Sequence, residues 1–206
     1  MVAAIVLAAG TSSRYGANKL LLPFAGGTVI SRVVMTVTQS PAQPVVVVTG
    51  HQADQTQAAL QPLHGAVTFV HNSDYRVGEM LSSIKAGLYY LLSLPHLEPQ
   101  ATLIALGDQP LVRLDVLQRL CEAFERQCGD LIAPRMGVDG PRGHPVLIGR
   151  RWWDAILALP ADGNVRDLLR ANHGSMTHLV VNTDSILGDV DTPAAYRAAL
   201  ERQSET

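Results

Sequence analysis

Four strand-length runs of apolar residues occur in the first half of the chain, and they do not alternate with polar residues. They cover residues 2–7, 45–49, 66–70 and 102–106. A strand that is apolar throughout is typical of a sheet that is buried on both faces, which is how parallel sheets are built. Such a sheet needs helices on both sides. The runs therefore predict an α/β fold with a doubly wound, mostly parallel sheet.

Helical patterns fill the segments between these strands. We predict helices over residues 28–38, 52–60, 82–92 and 113–126. Further strands are predicted at residues 130–133, 145–148 and 177–181, and further helices at 152–158, 165–171 and 194–202. The segment 135–143 is rich in glycine and proline and is predicted to be a flexible flap over a site. A chain of 206 residues with 47% hydrophobic content fits one domain spanning residues 1–206.

Charge and composition argue against two classes of partner. The formal net charge is −2 and the chain has three Phe and two Trp, so it lacks the basic surface and the stacking aromatic residues of a nucleic-acid-binding protein. No apolar run approaches the roughly 18 residues of a membrane span, and the apolar start lacks the basic leading region of a signal peptide. We therefore expect a cytoplasmic protein that binds a small molecule. Cys121 and Cys128 are predicted to be free thiols.

The first strand runs directly into a glycine-rich loop with two basic residues. Gly10 and Gly16 allow backbone N–H groups to approach a ligand, and Arg14 and Lys19 supply fixed positive charge for a polyphosphate. The loop is not a P-loop, because five residues separate the glycines and neither Ser nor Thr follows Lys19. The glycine pattern of dinucleotide-binding proteins is also absent. The segment predicts a binding loop for a nucleoside triphosphate.

Polar residues follow the predicted strands at the points where they end. Gly50-His51, His71-Asn72 and Gly107-Asp108 come directly after the second, third and fourth strands. Ligands of open α/β sheets bind outside the carboxyl ends of the strands, so these loops should meet the glycine-rich loop in one crevice. A carboxylate at Asp108 would project into it and could bind Mg²⁺, which prefers oxygen ligands. The alternative is that Asp108 only forms a turn before Pro110.

Asp191 is the candidate for a second metal ligand. Alternation along an extended segment places Asp189 and Asp191 on the same side, so either carboxylate could be the ligand. The alternative is that both acids face the positive end of a helix in which Thr192 is the N-cap and Pro193 is the first residue.

Gly78, Ser82 and Ser83 follow the third strand. They are candidates for contacts with the nucleotide, and the equally weighted alternative is that Ser82 or Ser83 caps the next helix.

Four segments together resemble the nucleotidyltransferases that activate the pterin of molybdenum enzymes, and most closely the molybdenum cofactor cytidylyltransferases. The segments are residues 7–23, 107–110, 142–147 and 189–193, which stand in the same order and cover nearly the full length. The opening segment alone is shared in general form with sugar-nucleotide and isoprenoid-precursor enzymes. One departure is Tyr15, where the family usually has Met. The resemblance implies a fold like that of the nucleotide-diphospho-sugar transferases.

The resemblance also implies an activity: the Mg²⁺-dependent transfer of CMP from CTP to the phosphate of molybdenum-bound molybdopterin, with release of pyrophosphate. In this reading Lys19 neutralises charge that develops at the α-phosphorus, and Arg14 holds the terminal phosphates. Asp108 and Asp191 are the implied metal ligands, and His144 lies on the pterin side. Backbone contacts to the nucleotide are implied for Ala8, Ala9 and Gly10. Related guanylyltransferases resemble Ala-Gly-Gly at these three positions, so the sequence favours cytosine.

Three other functions stay open at this point. Two are enzymes: a GTP-dependent molybdopterin guanylyltransferase, and a cytidylyl or uridylyl transferase acting on a sugar or polyol phosphate. The third is a nucleotide-binding carrier without turnover, an assembly partner that delivers the cofactor to a molybdenum hydroxylase. The presence of Lys19, Asp108 and Asp191 argues against this carrier. A molybdenum hydroxylase is also the downstream partner that the resemblance suggests for an enzyme.

Overall fold

The computed structural model describes residues 1–12, 15, 18–77 and 79–204. Seven strands in this part of the chain form one sheet, in the order β5, β4, β1, β6, β8, β7, β9, and β2 and β3 form a separate hairpin. The strands are β1 (Val2–Ala8), β2 (Pro23–Phe24), β3 (Gly27–Thr28), β4 (Val45–Thr49), β5 (Thr68–His71), β6 (Ala101–Leu106), β7 (Leu131–Met136), β8 (Val146–Gly149) and β9 (Thr177–Val181). Within the seven-stranded sheet, only β8 runs antiparallel to its neighbours. The predicted mostly parallel sheet is confirmed.

Helices cover both faces of this sheet. They are α1 (Val29–Thr38), α2 (Ala53–Ala59), α3 (Glu79–Leu92), α4 (Leu114–Glu125), α5 (Trp153–Leu157), α6 (Val165–Ala171) and α7 (Pro193–Ser204). Buried side chains of α1 and α4 pack on one face of the sheet. Those of α3, α5 and α6 pack on the other face. This double layer is the physical cause of the uninterrupted apolar runs, because alternate residues of β1 belong to opposite cores and both need to be apolar.

The predicted strand at residues 66–70 differs from the other three. The observed strand is Thr68–His71, and its residues are only partly buried, whereas we expected burial on both faces. The reason is its position, since β5 is an edge strand that pairs with β4 alone. Apolar content along a run therefore predicted the strand correctly but overestimated its burial.

The predicted flap at residues 135–143 is shorter than expected. Strand β7 continues through Met136, and Arg135 forms an isolated antiparallel bridge with Arg142. The turn between them is fastened by two backbone hydrogen bonds, from Met136 to Pro141 at 3.0 Å and from Gly143 to Pro134 at 3.0 Å. The segment is therefore a tight turn that extends the sheet, not a long loop.

Cys121 is buried on α4 and Cys128 is exposed, and both are free thiols as predicted. Burial raises the pKa of the Cys121 thiol to about 11, so this thiol is protonated at neutral pH. In the ranges that the structure describes, no helix is both long and apolar enough to cross a membrane. The assignments to one domain and to the cytoplasm stay predictions.

Gly107 holds the end of β6 against β1, and this close approach yields a test of the fold. Its N–H donates to the carbonyl of Leu7 at 2.9 Å. A Cβ at this position would lie 2.7 Å from the Leu7 oxygen and 2.9 Å from Cδ1 of Ile30. We expect Gly107→Ala to lower the free energy of unfolding by about 1–3 kcal/mol, measured by urea denaturation, because buried overpacking forces the backbone to shift.

Gly65→Ala is the matched control for that variant, since a Cβ there meets nothing within 4 Å. It should leave the midpoint of unfolding close to that of the parent protein. Equal midpoints for the two variants would contradict the packing described at Gly107.

Candidate active site

A cavity of about 340 Å³ opens at the carboxyl ends of β1 and β6, which are neighbours in the sheet. Five of the sequence-predicted site residues line it, namely Ala9, Gly10, Lys19, Ser83 and Asp108. The other lining residues are Leu7, Thr11, Ser12, Leu20, Tyr75, Arg76, Met80 and Leu106. Segments after β1, β5 and β6 meet at this cavity, but the predicted His71-Asn72 and Gly50-His51 do not line it; Tyr75 and Arg76 do so after β5.

The segment after β1 forms one wall of this cavity and positions Lys19. Gly10 faces open space, since a Cβ there would meet nothing within 4 Å. The carboxamide oxygen of Asn18 accepts a hydrogen bond from Leu20 N at 3.1 Å and so caps a single 3₁₀ turn, Lys19–Leu21. The backbone N–H of Lys19 donates to Ser12 Oγ at 3.3 Å. The turn therefore fixes Lys19 beside the wall that a ligand would contact.

The Lys19 ammonium bridges two carboxylates that are far apart in the chain. Its Nζ donates to Oδ2 of Asp108 and to Oδ1 of Asp191. The side chains of Lys19 and Asp108 are 15% and 18% exposed, whereas that of Asp191 is 45% exposed. Burial alone would lower the pKa of Lys19, but the charges and hydrogen bonds of the two carboxylates outweigh it and raise the pKa above its ordinary value. Lys19 is therefore positively charged at neutral pH.

The backbone brings the second carboxylate to the first. The N–H of Val190 donates to the carbonyl of Asp108 at 2.9 Å, and this bond lays the segment 189–191 against the end of β6. Asp191 contacts Lys19, whereas Asp189 accepts a hydrogen bond from Gln109 Nε2 at 2.5 Å. Of the two acids that the sequence left open, Asp191 is thus the one that shares a cation with Asp108.

The N-terminal end of α3 forms the opposite wall. Helix α3 starts at Glu79, three residues earlier than predicted. Ser82 and Ser83 therefore lie inside the helix, which excludes the alternative that one of them is its N-cap. Their hydroxyl groups instead accept hydrogen bonds from the buried Nδ2 of Asn72, at 2.8 and 3.0 Å. Ser83 lines the cavity, and Ser82 supports the strand-to-helix connection behind it.

Tyr75 and Arg76 also line this wall, and the sequence analysis did not assign them a role. The Arg76 guanidinium lies 5.6 Å from the centre of the Tyr75 ring. Tyr75 packs closely on Gly50, where a Cβ would lie 2.7 Å from Cβ of Tyr75. Their position after the third strand could have predicted this role, because an aromatic and a cationic residue there can contact a base or a phosphate.

Four predicted residues that the structure describes, Ala8, Ser82, His144 and Asp191, do not line the cavity. Ala8 ends β1 and is 1% exposed, within the core. Arg14 and Gly78 lie outside the described residues. His144 precedes β8, and its backbone N–H donates to the carbonyl of Ile186 at 3.0 Å. Burial lowers the pKa of its imidazole, partly opposed by the charges of Asp189 and Asp108, so the ring is neutral at pH 7.

The His144 ring still has an unused polar atom. Its Nδ1 is buried and has no hydrogen-bond partner within the described residues.

A family model described as a MobA-like NTP transferase domain matches residues 4–177 of the chain. The molybdenum cofactor cytidylyltransferase of Escherichia coli (strain K12) is 28% identical over 202 residues, which is 98% of this chain and 96% of that one. These matches include the glycine-rich segment and the cavity-lining residues described above.

Two solved structures are similar over nearly the whole chain. A nucleotidyl transferase from Methanothermobacter thermautotrophicus superposes with a TM-score of 0.82 at 26% identity, covering 100% of this chain and 98% of the other. A manganese complex of Rv0371c from Mycobacterium tuberculosis H37Rv superposes with a TM-score of 0.75 at 26% identity, covering 97% and 98%. The α/β architecture is thus shared with nucleotidyl-transferring proteins.

Proposed function

The chain belongs to the family of MobA-like NTP transferase domains, and from this premise we propose that it transfers CMP from CTP to the phosphate of molybdenum-bound molybdopterin, releasing pyrophosphate. The general activity, nucleotidyl transfer, follows from the family and argues against the carrier without turnover. CTP, the pterin acceptor and the dependence on Mg²⁺ are the proposed part. The 28% identity to a molybdenum cofactor cytidylyltransferase across 98% of the chain supports it.

The observation that carries this proposal is the ammonium of Lys19 held between Asp108 and Asp191 at the wall of the cavity. Nucleotidyl transfer needs fixed cations for the triphosphate and carboxylates for a metal ion, and it needs no nucleophilic side chain. Lys19 and the two acids supply both types of charge within hydrogen-bonding distance of one another. A turn-forming role alone does not account for an Asp108 carboxylate that contacts a lysine 89 residues away.

The donor set fits a magnesium ion. Mg²⁺ is commonly held by one or two carboxylates together with substrate phosphates. Within the part of the chain that the structure describes, no group of three or more His, Cys, Asp or Glu side chains could hold a metal. Asp108 and Asp191 already share one cation, the Lys19 ammonium, and they are the residues that would hold Mg²⁺. When bound, Mg²⁺ would neutralise phosphate oxygens and favour departure of pyrophosphate.

The residues of the chain then act mainly by positioning. An oxygen of the acceptor phosphate attacks the α-phosphorus of the nucleotide, a new P–O bond forms, and the bond to the bridging oxygen of pyrophosphate breaks with its electron pair. Lys19, charged at neutral pH, lies where it can stabilise negative charge on the α-phosphate oxygens. Gly10 leaves space for the nucleotide to approach the backbone. Arg14 is proposed to hold the terminal phosphates.

The acceptor is proposed to enter from the side of β8. His144 lies two residues before this strand, and its Nδ1 has no hydrogen-bond partner among the described residues. We do not assign His144 as a general base, because the attacking phosphate is already an anion near neutral pH. Its neutral ring is instead proposed to hydrogen-bond the acceptor. A molybdenum hydroxylase remains the proposed recipient of the product.

Calorimetric titration with CTP, GTP, UTP and ATP tests the proposed nucleotide. We expect CTP to bind with a dissociation constant about 10-fold or more below that of GTP in the presence of Mg²⁺, because a pocket fitted to the smaller pyrimidine excludes the purine. Removal of Mg²⁺ with a chelator should weaken CTP binding. Tighter binding of GTP would contradict the proposed transfer of CMP and favour transfer of GMP. Binding of CTP that is insensitive to Mg²⁺ would contradict the metal assignment.

A further inference from the structure

A second group of basic residues lies along the same edge of the sheet, and the reaction as described does not use it. Arg135 is the fifth residue of β7, Arg142 is its bridge partner across the turn, and His178 lies on the neighbouring strand β9. We call these three residues the basic cluster. It is two strands away from Asp108, because β8 is the only strand between β6 and β7.

Arg135 contacts His178, and in the described part of the chain no member of the basic cluster contacts an acid. A guanidinium nitrogen of Arg135, Nη2, is 3.2 Å from Nε2 of His178. Nη1 of Arg142 contacts the Met176 sulfur at 3.2 Å, and Nη1 of Arg135 donates to the Val138 carbonyl at 3.2 Å. Within the described residues neither arginine has an ion pair with a carboxylate. By contrast, Arg113, Arg151, Arg170 and Arg202 each pair with an aspartate.

Two further polar atoms in the basic cluster are unsatisfied. Nε of Arg135 and Nδ1 of His178 are buried and have no hydrogen-bond partner among the described residues. The pKa of His178 is lowered by burial and by the charges of Arg135 and Arg142. The ring is therefore neutral and its Nε2 can accept from Arg135. Arg135 and Arg142 are bridge partners and the charges of both act on His178, so the basic cluster has two positive charges that favour binding of an anion.

The turn that carries Arg142 is held in place before any ligand binds. Gly143 lies so close to the chain after β9 that a Cβ would be 2.1 Å from the Ile186 carbonyl oxygen. Gly140 is equally tight against Met136, with 1.8 Å between a Cβ and the carbonyl oxygen. The N–H of Gly137 donates to the Val181 carbonyl at 3.0 Å and joins the turn to β9. The two guanidinium groups therefore project from a fixed backbone.

The location of the basic cluster indicates what it binds. Strands β6 and β7 point the same way, since β8 is antiparallel to both, so Arg135 and Asp108 lie near the same edge of the sheet. Two strand spacings correspond to roughly 10 Å. An extended acceptor whose reacting phosphate lies beside Asp108 can span this separation and reach the basic cluster. His144 lies between the two positions, two residues before β8.

We propose that Arg135 and Arg142 bind a second anionic group of the acceptor, roughly 10 Å from the phosphate that attacks the nucleotide. The inference rests on the proposed function, because it places the reacting phosphate beside Asp108. It narrows the acceptor to molecules with negative charge at both ends, such as a phosphate at one end and an anionic metal complex at the other. Sugar and polyol monophosphates, which have a single anionic group, do not meet this requirement.

The test compares Arg142→Gln with Arg170→Gln as the control. Arg142 is exposed and, among the described residues, its side chain hydrogen-bonds to the Met176 sulfur alone, so its replacement leaves the core intact. Arg170 is exposed on α6 and forms a surface ion pair with Asp167. We expect Arg142→Gln to raise KM for the pterin acceptor about tenfold, the effect of losing one charge-assisted contact. The calorimetric affinity for CTP and the kinetics of Arg170→Gln should match the parent protein.

A second measurement does not depend on the nucleotide. Inorganic phosphate is titrated into the protein with ¹⁵N-labelled histidine, and the ring resonances of His178 are followed by NMR. They should shift on addition of phosphate in the parent protein and in Arg170→Gln, and should shift much less in Arg142→Gln. Two results would overturn the proposal. One is a KM for the acceptor that is unchanged in Arg142→Gln; the other is that the His178 resonances of the parent protein do not shift when phosphate is added. Absence of CTP binding would instead refute the proposed function, while the phosphate titration still decides the role of the basic cluster.

Discussion

Asp108→Asn is expected to reduce the rate of pyrophosphate release on the order of 10²–10³-fold while the protein stays folded. The substitution keeps the size of the side chain but removes its charge, and with it a proposed ligand of Mg²⁺ and one of the two partners of Lys19. The backbone carbonyl of Asp108, which accepts from Val190, is unaffected. The rate is measured at saturating CTP with the pterin acceptor, and circular dichroism with urea denaturation checks the fold.

Asp191 and Asp189 supply the comparison for that variant. Asp191→Asn should lower the rate severely, because Asp191 shares the Lys19 ammonium with Asp108. Asp189→Asn should be mild, because this side chain contacts Gln109 and not Lys19. Unchanged pyrophosphate release in Asp108→Asn would remove the metal assignment, and a larger loss in Asp189→Asn than in Asp191→Asn would exchange the roles of these two acids.

Lys19→Met is expected to give the second large loss of activity, on the order of 10²-fold in kcat/KM for CTP. The side chain is a fixed positive charge in a cavity wall and it lies beside the proposed metal ligands, so its removal takes away stabilisation of charge that builds up during transfer. The Lys19→Arg variant should retain little of the parent activity, because a planar guanidinium cannot reproduce a compact ammonium held between two carboxylates.

Lys85 provides the matched control, since it is the only other lysine of the chain. Its Nζ donates to the Leu159 carbonyl at 2.5 Å, between α3 and the segment after α5. Lys85→Met should lower the temperature of unfolding without changing kcat/KM for CTP. Equal losses of kcat/KM in the two variants would mean that Lys19 acts on folding and not on the reaction.

Most elements of the fold could be predicted from the sequence because the central sheet is buried on both of its faces. Burial on both sides leaves a continuous apolar run, as in β1, and such runs stand out without any knowledge of their partners. The start of α7 was equally readable: Thr192 Oγ1 accepts from Ala195 N at 3.1 Å, and Pro193 is the first helical residue. The antiparallel direction of β8 could not be predicted from the sequence, because strand direction is set by pairing between distant segments.

The candidate site could be predicted as a set of motifs but not as a geometry. Residues 9–12 and Asp108 follow buried strands, and this position alone predicted that they meet. The choice between Asp189 and Asp191 was not accessible, because it depends on Gln109, 80 residues away from Asp189. Tyr75 and Arg76 were missed for a related reason: their place in the wall depends on the close packing of Tyr75 on Gly50.

The bridge formed by Lys19 also bears on how fast a nucleotide arrives. A nucleoside triphosphate is strongly anionic, and two bare carboxylates at the cavity wall would repel it during its diffusional approach. With the ammonium between them, Asp108 and Asp191 together with Lys19 present one net negative charge instead of two. Long-range repulsion of the triphosphate is therefore weakened before any contact forms. The three side chains proposed to act in the reaction are thus also expected to affect the encounter rate.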